Sequence, residues 1–318
     1  MKEMKLKFGV FIDPLHTPST YSSIEEQALE AERLDFESVW LSDHLMLDNK
    51  PIVECFTTLS ALASITKKIR LGSLVACNSY RYPSLLAKMG ATLDVISKGR
   101  LEFGIGAGWN EEEYTAYGIP FPKPSIRIAQ MREGIEIIKK MWTQKDSSFT
   151  GEYFKIQEAY CEPKPIQKPH PPITIGGSGE KLTLKAVAEY ADRSNWMGSV
   201  SEFAHKLKVL KEHCTRVGRD YDEIEKSWMG RAMVGTDPQQ LRNELKKLYS
   251  SGQLRILPPQ PFDEWLENIV ERGIIGSPSQ CLAKINEYAD LGVTYFAITF
   301  LDSPSTDNMK LFSENVMS

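Results

Sequence analysis

The chain has no paired cysteine motif, no long apolar run and no surplus of positive charge, and each absence removes a class of function. Its five cysteines, Cys55, Cys77, Cys161, Cys214 and Cys281, are odd in number and widely spaced. That pattern supports neither a disulfide framework nor a zinc site, and a cytoplasmic protein is expected. The apolar run before Asp13 is five residues long, too short for a signal peptide or a membrane span. A net charge of -4 gives no reason to expect nucleic acid, whose binding needs clustered Lys and Arg. The densest basic clusters, Lys67-Lys68-Arg70 and Lys139-Lys140, fall at expected helix ends, where they complement the helix dipole. His205 and His213 lie eight apart on one expected helix, too far for a one-turn metal pair, and are expected to face solvent. No G-x-S-x-G elbow, glycosidase carboxylate pair or divalent-metal cluster stands out. The remaining chemistry is that of an organic cofactor and a small-molecule substrate.

What the sequence does contain is alternation. Eight short apolar runs, at 7–12, 38–42, 69–76, 101–107, 172–176, 193–197, 224–234 and 294–300, are separated by stretches of helical periodicity. Those helical stretches cover 22–34, 54–66, 83–97, 125–143, 180–190, 201–217, 237–250 and 278–291, with a short one near 306–315. Strand and helix in turn predict a parallel α/β fold. Eight of each predict a single (β/α)8 TIM barrel, which takes about 250 residues and leaves a surplus for insertions. These fall near 147–172, with the hairpin-like FTGEYFKI and the proline-rich CEPKPIQKPHPP, and near 252–273. The alternative, a doubly wound open sheet, would more naturally split at a composition break, and none is visible.

Barrel chemistry sits at the C-terminal ends of the strands. That rule selects Asp13 and His16, Asp43 and His44, Cys77 to Arg81, then Gly108, Trp109 and Asn110, and finally Gly198 and Gly235. It also selects the turn of Gly176, Gly177, Ser178 and Gly179 in ITIGGSGEKLTLKAVAEYA. There a strand runs through glycines into a helix, so backbone N–H groups and a helix N-terminus can face a phosphate. A tight turn with no ligand accounts for the same residues equally well. Asp43 and His44 form a plausible acid/base unit, against a turn in which Asp43 merely caps backbone N–H groups. GIGAGW fails the dinucleotide fingerprint because Trp109 stands where a third glycine is needed. Gly106 and Gly108 then mark either a strand edge passed by a flat ring or close helix-to-strand packing. Phe56, Trp109 and Trp265 are candidates for an apolar pocket or for the core.

Taken together, SVWLSDHLM, the run from IRLGSLVACNSYRYP to GRLEFGIGAGWNEEEY, PHPPITIGGSGEKLTLKAVAEYAD and CTRVGRDYDEIE resemble the bacterial luciferase-like oxidoreductase superfamily. The likeness is strongest to its branch that uses the deazaflavin coenzyme F420. It implies a (β/α)8 barrel, a homodimer formed through barrel-side helices, and hydride transfer between the deazaflavin and a small organic substrate. By the same resemblance His44 is the acid/base, and Asp43 is its catalytic neighbour and a cofactor or orienting contact. The bond from Leu74 to Val75 is a non-proline cis peptide behind the ring. Cys77, Gly106, Gly108 and Trp109 line the ring, and Gly176, Gly177, Ser178 and Gly179 hold the phosphate-bearing tail. Three positions depart from other branches. Trp109 replaces an acidic residue of the sugar-phosphate dehydrogenases, Ala107 a reactive cysteine of bacterial luciferase, and Asp43-His44-Leu45 the Glu-His-His of many flavin monooxygenases. An FMN-dependent monooxygenase and a flavin-binding protein without turnover are the alternatives.

Overall fold

A computed structural model describes residues 5–14, 20–47, 50–252 and 259–317. His16 and residues 253–258 of the second expected insertion lie outside the described residues. The strands are β1 (Lys7–Ile12), β2 (Ser38–Leu41), β3 (Arg70–Cys77), β4 (Leu101–Gly106), β5 (Asp146–Thr150), β6 (Lys155–Tyr160), β7 (Ile173–Gly176), β8 (Arg193–Trp196), β9 (Glu225–Val234), β10 (Ile274–Gly276) and β11 (Val293–Phe300). The helices are α1 (Tyr21–Arg33), α2 (Cys55–Ile65), α3 (Pro83–Ile96), α4 (Glu111–Ala116), α5 (Pro124–Thr143), α6 (Thr183–Tyr190), α7 (Val200–Val217), α8 (Pro238–Ser250), α9 (Phe262–Arg272), α10 (Pro278–Asp290) and α11 (Asp307–Val316).

Pairing runs β11-β1-β2-β3-β4-β7-β8-β9, and β9 returns to β11, so eight parallel strands close into a (β/α)8 barrel. All eight expected strands are present, within a residue or so of the expected bounds. β10 is an extra short strand appended to the C-terminal half of β9, Ile274 pairing with Ala232. β5 and β6 form an antiparallel hairpin outside the barrel, within the first expected insertion. The proline-rich run after it holds cis bonds at Glu162–Pro163 and Lys168–Pro169.

Alternation along the strands sorts side chains into two cores. Inside the barrel, Phe11, Trp40, Leu74, Tyr295 and Ala297 pack with Val75 and Met229. Outside it, the opposite strand faces meet the helices, as where Trp228 lies against Tyr288 and Phe296. Helix starts follow local chemistry: Ser199 with Glu202, and Ser277 with Gln280, form capping boxes at α7 and α10.

The end of the barrel opposite the expected site is closed by charge. Arg193, at the start of β8, donates to Glu102 Oε2 and to Glu225 Oε2, both at 2.7 Å, and its guanidinium lies 4.2 Å from the Tyr295 ring centroid. Arg70 belongs to this cluster. It opens β3 and pairs with buried Glu102 rather than capping a helix in solvent. Lys139 likewise differs from the exposed reading, being partly buried with its ammonium on the Tyr190 carbonyl at 2.8 Å.

Candidate active site

β2 and β3 end side by side, and their last residues build the mouth. Asp43 is 4% exposed. It accepts the Cys77 N–H at 2.9 Å and both terminal nitrogens of Arg81, at 2.7 and 2.9 Å. Arg81 also bonds Glu54 and lies 4.9 Å from the Phe56 ring centroid. Both Asp43 oxygens are thus engaged by the protein, and the carboxylate ties the end of β3 to the residues after β2. Asp43 and His44 point to different partners although they are adjacent.

His44 Nδ1 lies 2.9 Å from Glu113 Oε2. Glu113 is fully buried in α4, a segment the sequence leaves as a loop or a short turn. Its other oxygen accepts the N–H groups of Leu45 and Met46. Burial pushes this carboxyl up, but hydrogen bonds from His44, Tyr80 and Leu45 outweigh that and hold it below the ordinary value of 4.5. Burial and the same carboxylate push the Tyr80 hydroxyl well up, keeping it a donor. An ionised Glu113 can only accept, so His44 Nδ1 carries the proton between them and Nε2 is the nitrogen left to exchange one. Glu113 is the site residue that sequence reasoning missed. Its only trace in the sequence is the acidic run Glu111-Glu112-Glu113, which begins three residues after Gly108 in a stretch that reads as a loop or a short helical turn.

The Leu74–Val75 bond is cis, as the resemblance implied, and the β3–β4 register shifts between Ser73 and Ala76. This bulge carries the half-buried Val75 side chain against the ends of β4 and β7. A Cβ at Gly106 would lie 2.6 Å from Val75, and one at Gly176 2.8 Å away. Glycine there leaves the room that the Val75 side chain takes up. Gly108, at φ +78, carries the chain over Tyr114, whose hydroxyl a Cβ would meet at 1.8 Å. Cys77 lies beneath, its Sγ 3.0 Å from the Tyr114 hydroxyl. Burial pushes its thiol up to about 11, so it is no nucleophile at neutral pH.

The glycine turn follows β7, with Gly177 at φ +122. Gly177 gives its N–H to the Asn195 carbonyl at 2.9 Å, and α6 begins at Thr183 rather than at residue 180. Ser178, Gly179 and Glu180 therefore form a longer approach to the helix. Glu180 is bracketed by α7: its side chain takes Lys206 Nζ at 2.5 Å and His205 Nε2 at 3.1 Å, and its carbonyl lies 2.7 Å from His213 Nε2. His213 is 7% exposed, so it holds this turn instead of facing solvent as expected. His205 is exposed.

Trp109 is 62% exposed, its ring 5.7 Å from that of His44 at 78°. Phe56 and Trp265, the other aromatic candidates for a pocket, are buried. Phe56 packs between helix and barrel, and Trp265 lies in a cluster with Leu241, Leu245 and Ile269. Gly198 accepts the Tyr288 hydroxyl at its carbonyl, and Gly235 packs on Leu241. Among the described residues no group of His, Cys, Asp or Glu could hold a metal ion, and no helix is long and apolar enough to cross a membrane.

Comparison with known proteins gives the same geometry a lineage. A profile described as luciferase-like monooxygenase matches residues 6–295. Over 52% of its length the chain is 34% identical to an uncharacterized protein of Mycobacterium tuberculosis (strain ATCC 25618 / H37Rv), and it spans 57% of that relative. Across 92% of both chains it is 26% identical to an F420-dependent glucose-6-phosphate dehydrogenase of Amycolatopsis mediterranei (strain U-32). A solved F420-dependent secondary alcohol dehydrogenase, in complex with an F420-acetone adduct, superposes with a TM-score of 0.81. It is 21% identical, with 99% of each chain covered.

Proposed function

The chain belongs to the luciferase-like monooxygenase family, and we propose that it is a coenzyme F420-dependent oxidoreductase acting on a small organic alcohol or carbonyl compound. The observation that carries this reading is the His44–Glu113 pair, which sets a basic imidazole nitrogen at the same barrel mouth as the Val75 bulge. Full-length similarity to an F420-dependent dehydrogenase supports the choice of cofactor.

The residues present fit the group. Val75, backed by Gly106 and Gly176, offers an apolar surface for a tricyclic ring, with Leu74, Cys77 and Gly108 around it. Ser178, Gly179 and the start of α6 offer N–H groups to a phosphate, while Lys206 nearby is paired with Glu180. Bound deazaflavin supplies two-electron hydride chemistry. The protein positions the reactants and manages one proton. His44 Nε2 takes the proton from a substrate hydroxyl in the oxidative direction and returns it to the carbonyl oxygen in the reverse. Glu113 stabilises the imidazolium so formed. Asp43 acts as a positioning residue, because its oxygens are engaged by Arg81 and Cys77. A homodimer through barrel-side helices is part of the reading, supported by exposed Leu85 and Ile96, about three turns apart on one face of α3.

Thermal denaturation with each cofactor tests the proposal, since a ligand at about 100 times its Kd stabilises by about 2.7 kcal/mol. F420 is expected to raise the Tm and FMN to leave it unmoved. Stabilisation by FMN alone would make the protein a reduced-flavin monooxygenase instead. His44→Ala is expected to keep F420 affinity and lose turnover by about 10²-fold or more.

A further inference from the structure

We infer that Trp109 is a specificity-determining residue, its exposed indole forming the platform on which an apolar, planar and uncharged part of the substrate stacks. This names the substrate class of the oxidoreductase reading and rests on it for the word substrate.

Of the six tryptophans, Trp40, Trp142, Trp196, Trp228 and Trp265 are no more than 4% exposed, whereas Trp109 is 62% exposed. An indole left in water forgoes the burial of a side chain that covers about 150–250 Å². The backbone leading to it is held by fixed neighbours. Asn78 donates its N–H to the Gly106 carbonyl at 3.0 Å, and the Tyr114 hydroxyl bonds the Ala107 carbonyl at 3.3 Å. Gly108 is wedged over Tyr114 and Cys77, so the exposed ring stands on a packed base. The indole touches His44 edge to face. A group stacked on it therefore lies beside the imidazole that handles the proton.

The rest of the mouth agrees with an uncharged apolar ligand. On β8, Arg193 and Asn195 turn to Glu102 and Ser227, and the apolar Met197 just past the strand is 59% exposed. Arg81 is neutralised by Asp43 and Glu54, and Arg231 on β9 lies in the field of Asp13.

The test uses the full chain in three arms. Acrylamide quenching of intrinsic fluorescence reports mainly Trp109, and 1-phenylethanol should protect it, whereas glucose 6-phosphate should not. With F420 bound, KM should fall by about 10-fold or more from 2-propanol to 1-phenylethanol, the scale on which apolar pockets discriminate. Trp109→Ala should erase that difference and Trp109→Phe restore most of it, with F420 Kd followed by fluorescence titration in both because the resemblance also sets Trp109 against the ring. A variant that loses F420 affinity while keeping the substrate preference would overturn the inference, as would a preference for glucose 6-phosphate. Failure of wild type to bind F420 would sink the oxidoreductase reading instead. The quenching arm then still decides, and absence of protection by 1-phenylethanol would overturn the platform.

Discussion

Asp43 grips Arg81 through two hydrogen bonds, at 2.7 and 2.9 Å, while its own neighbour in sequence, His44, turns away to Glu113. The pair is nearly closed to solvent, the side chains being 1% and 9% exposed. Removing one partner strands a buried charge, so Arg81→Met is expected to cost about 3–5 kcal/mol. Urea denaturation measures it, and a loss below about 1 kcal/mol would show that water reaches the orphaned carboxylate.

Glu113→Gln keeps the shape of the His44 partner but removes its charge. Turnover is expected to fall by about 10- to 10²-fold with F420 affinity unchanged, because the imidazolium loses its stabilising carboxylate. Equal turnover in variant and wild type would remove Glu113 from the mechanism. The folded-state pKa of this carboxyl is held below its ordinary 4.5. Its contribution to stability is therefore present above about 4.5 and lost as pH falls through the lower folded value. The stability gap between wild type and Glu113→Gln should narrow below that pH.

Arg193 serves two carboxylates at the closed end of the barrel. Arg193→Met should destabilise by about 3–5 kcal/mol at neutral pH without changing F420 affinity. Burial raises Glu225, but Arg193 and Lys7 outweigh it and set it below the usual range. Acid protonates Glu225 and removes the interaction, so the deficit should shrink below about pH 4.5. A deficit that grows in acid would contradict the assignment.

Gly177 sits at φ +122 in the turn after β7. Gly177→Ala should cost about 1–3 kcal/mol in backbone strain and weaken F420 binding more than it lowers Tm. Isothermal titration beside thermal denaturation separates the two effects. An unchanged Kd would place the cofactor tail elsewhere.

All five cysteines are buried, and the Cys77 thiol is pushed up to about 11. A thiol reagent at pH 8 should therefore label the native protein at well under one equivalent, and the urea-unfolded protein at all five positions. Rapid native labelling of Cys77 would mean that the mouth is more open than its packing with Tyr114.

The barrel was legible because its signal is local and repeated: each strand is an apolar run that alternation or burial on both faces imposes, and each helix has its own period. Three-residue β10 escaped because it is too short to show a period. α9 escaped because its segment opens with LPPQPFDEW, and Pro261 marks a break before it marks a helix start. At the site, position at strand ends picked out Asp43, His44, Cys77 and the glycine turn, and the resemblance supplied the cis bond. Lys139, Arg70 and His213 were misread because exposure was inferred from residue type. Each proved to have a carbonyl or carboxylate waiting on another element.

By itself, then, the sequence determined the order of strands and helices, the closed barrel they make, and the strand ends at which chemistry gathers, since periodicity and turn residues act between near neighbours along the chain. Tertiary structure alone decided that His44 answers to Glu113 and Asp43 to Arg81, that Val75 lies against Gly106 and Gly176, and that of six tryptophans only Trp109 is left open to solvent. Those choices depend on packing between segments tens of residues apart, where burial makes an unpaired charge costly and selects its partner.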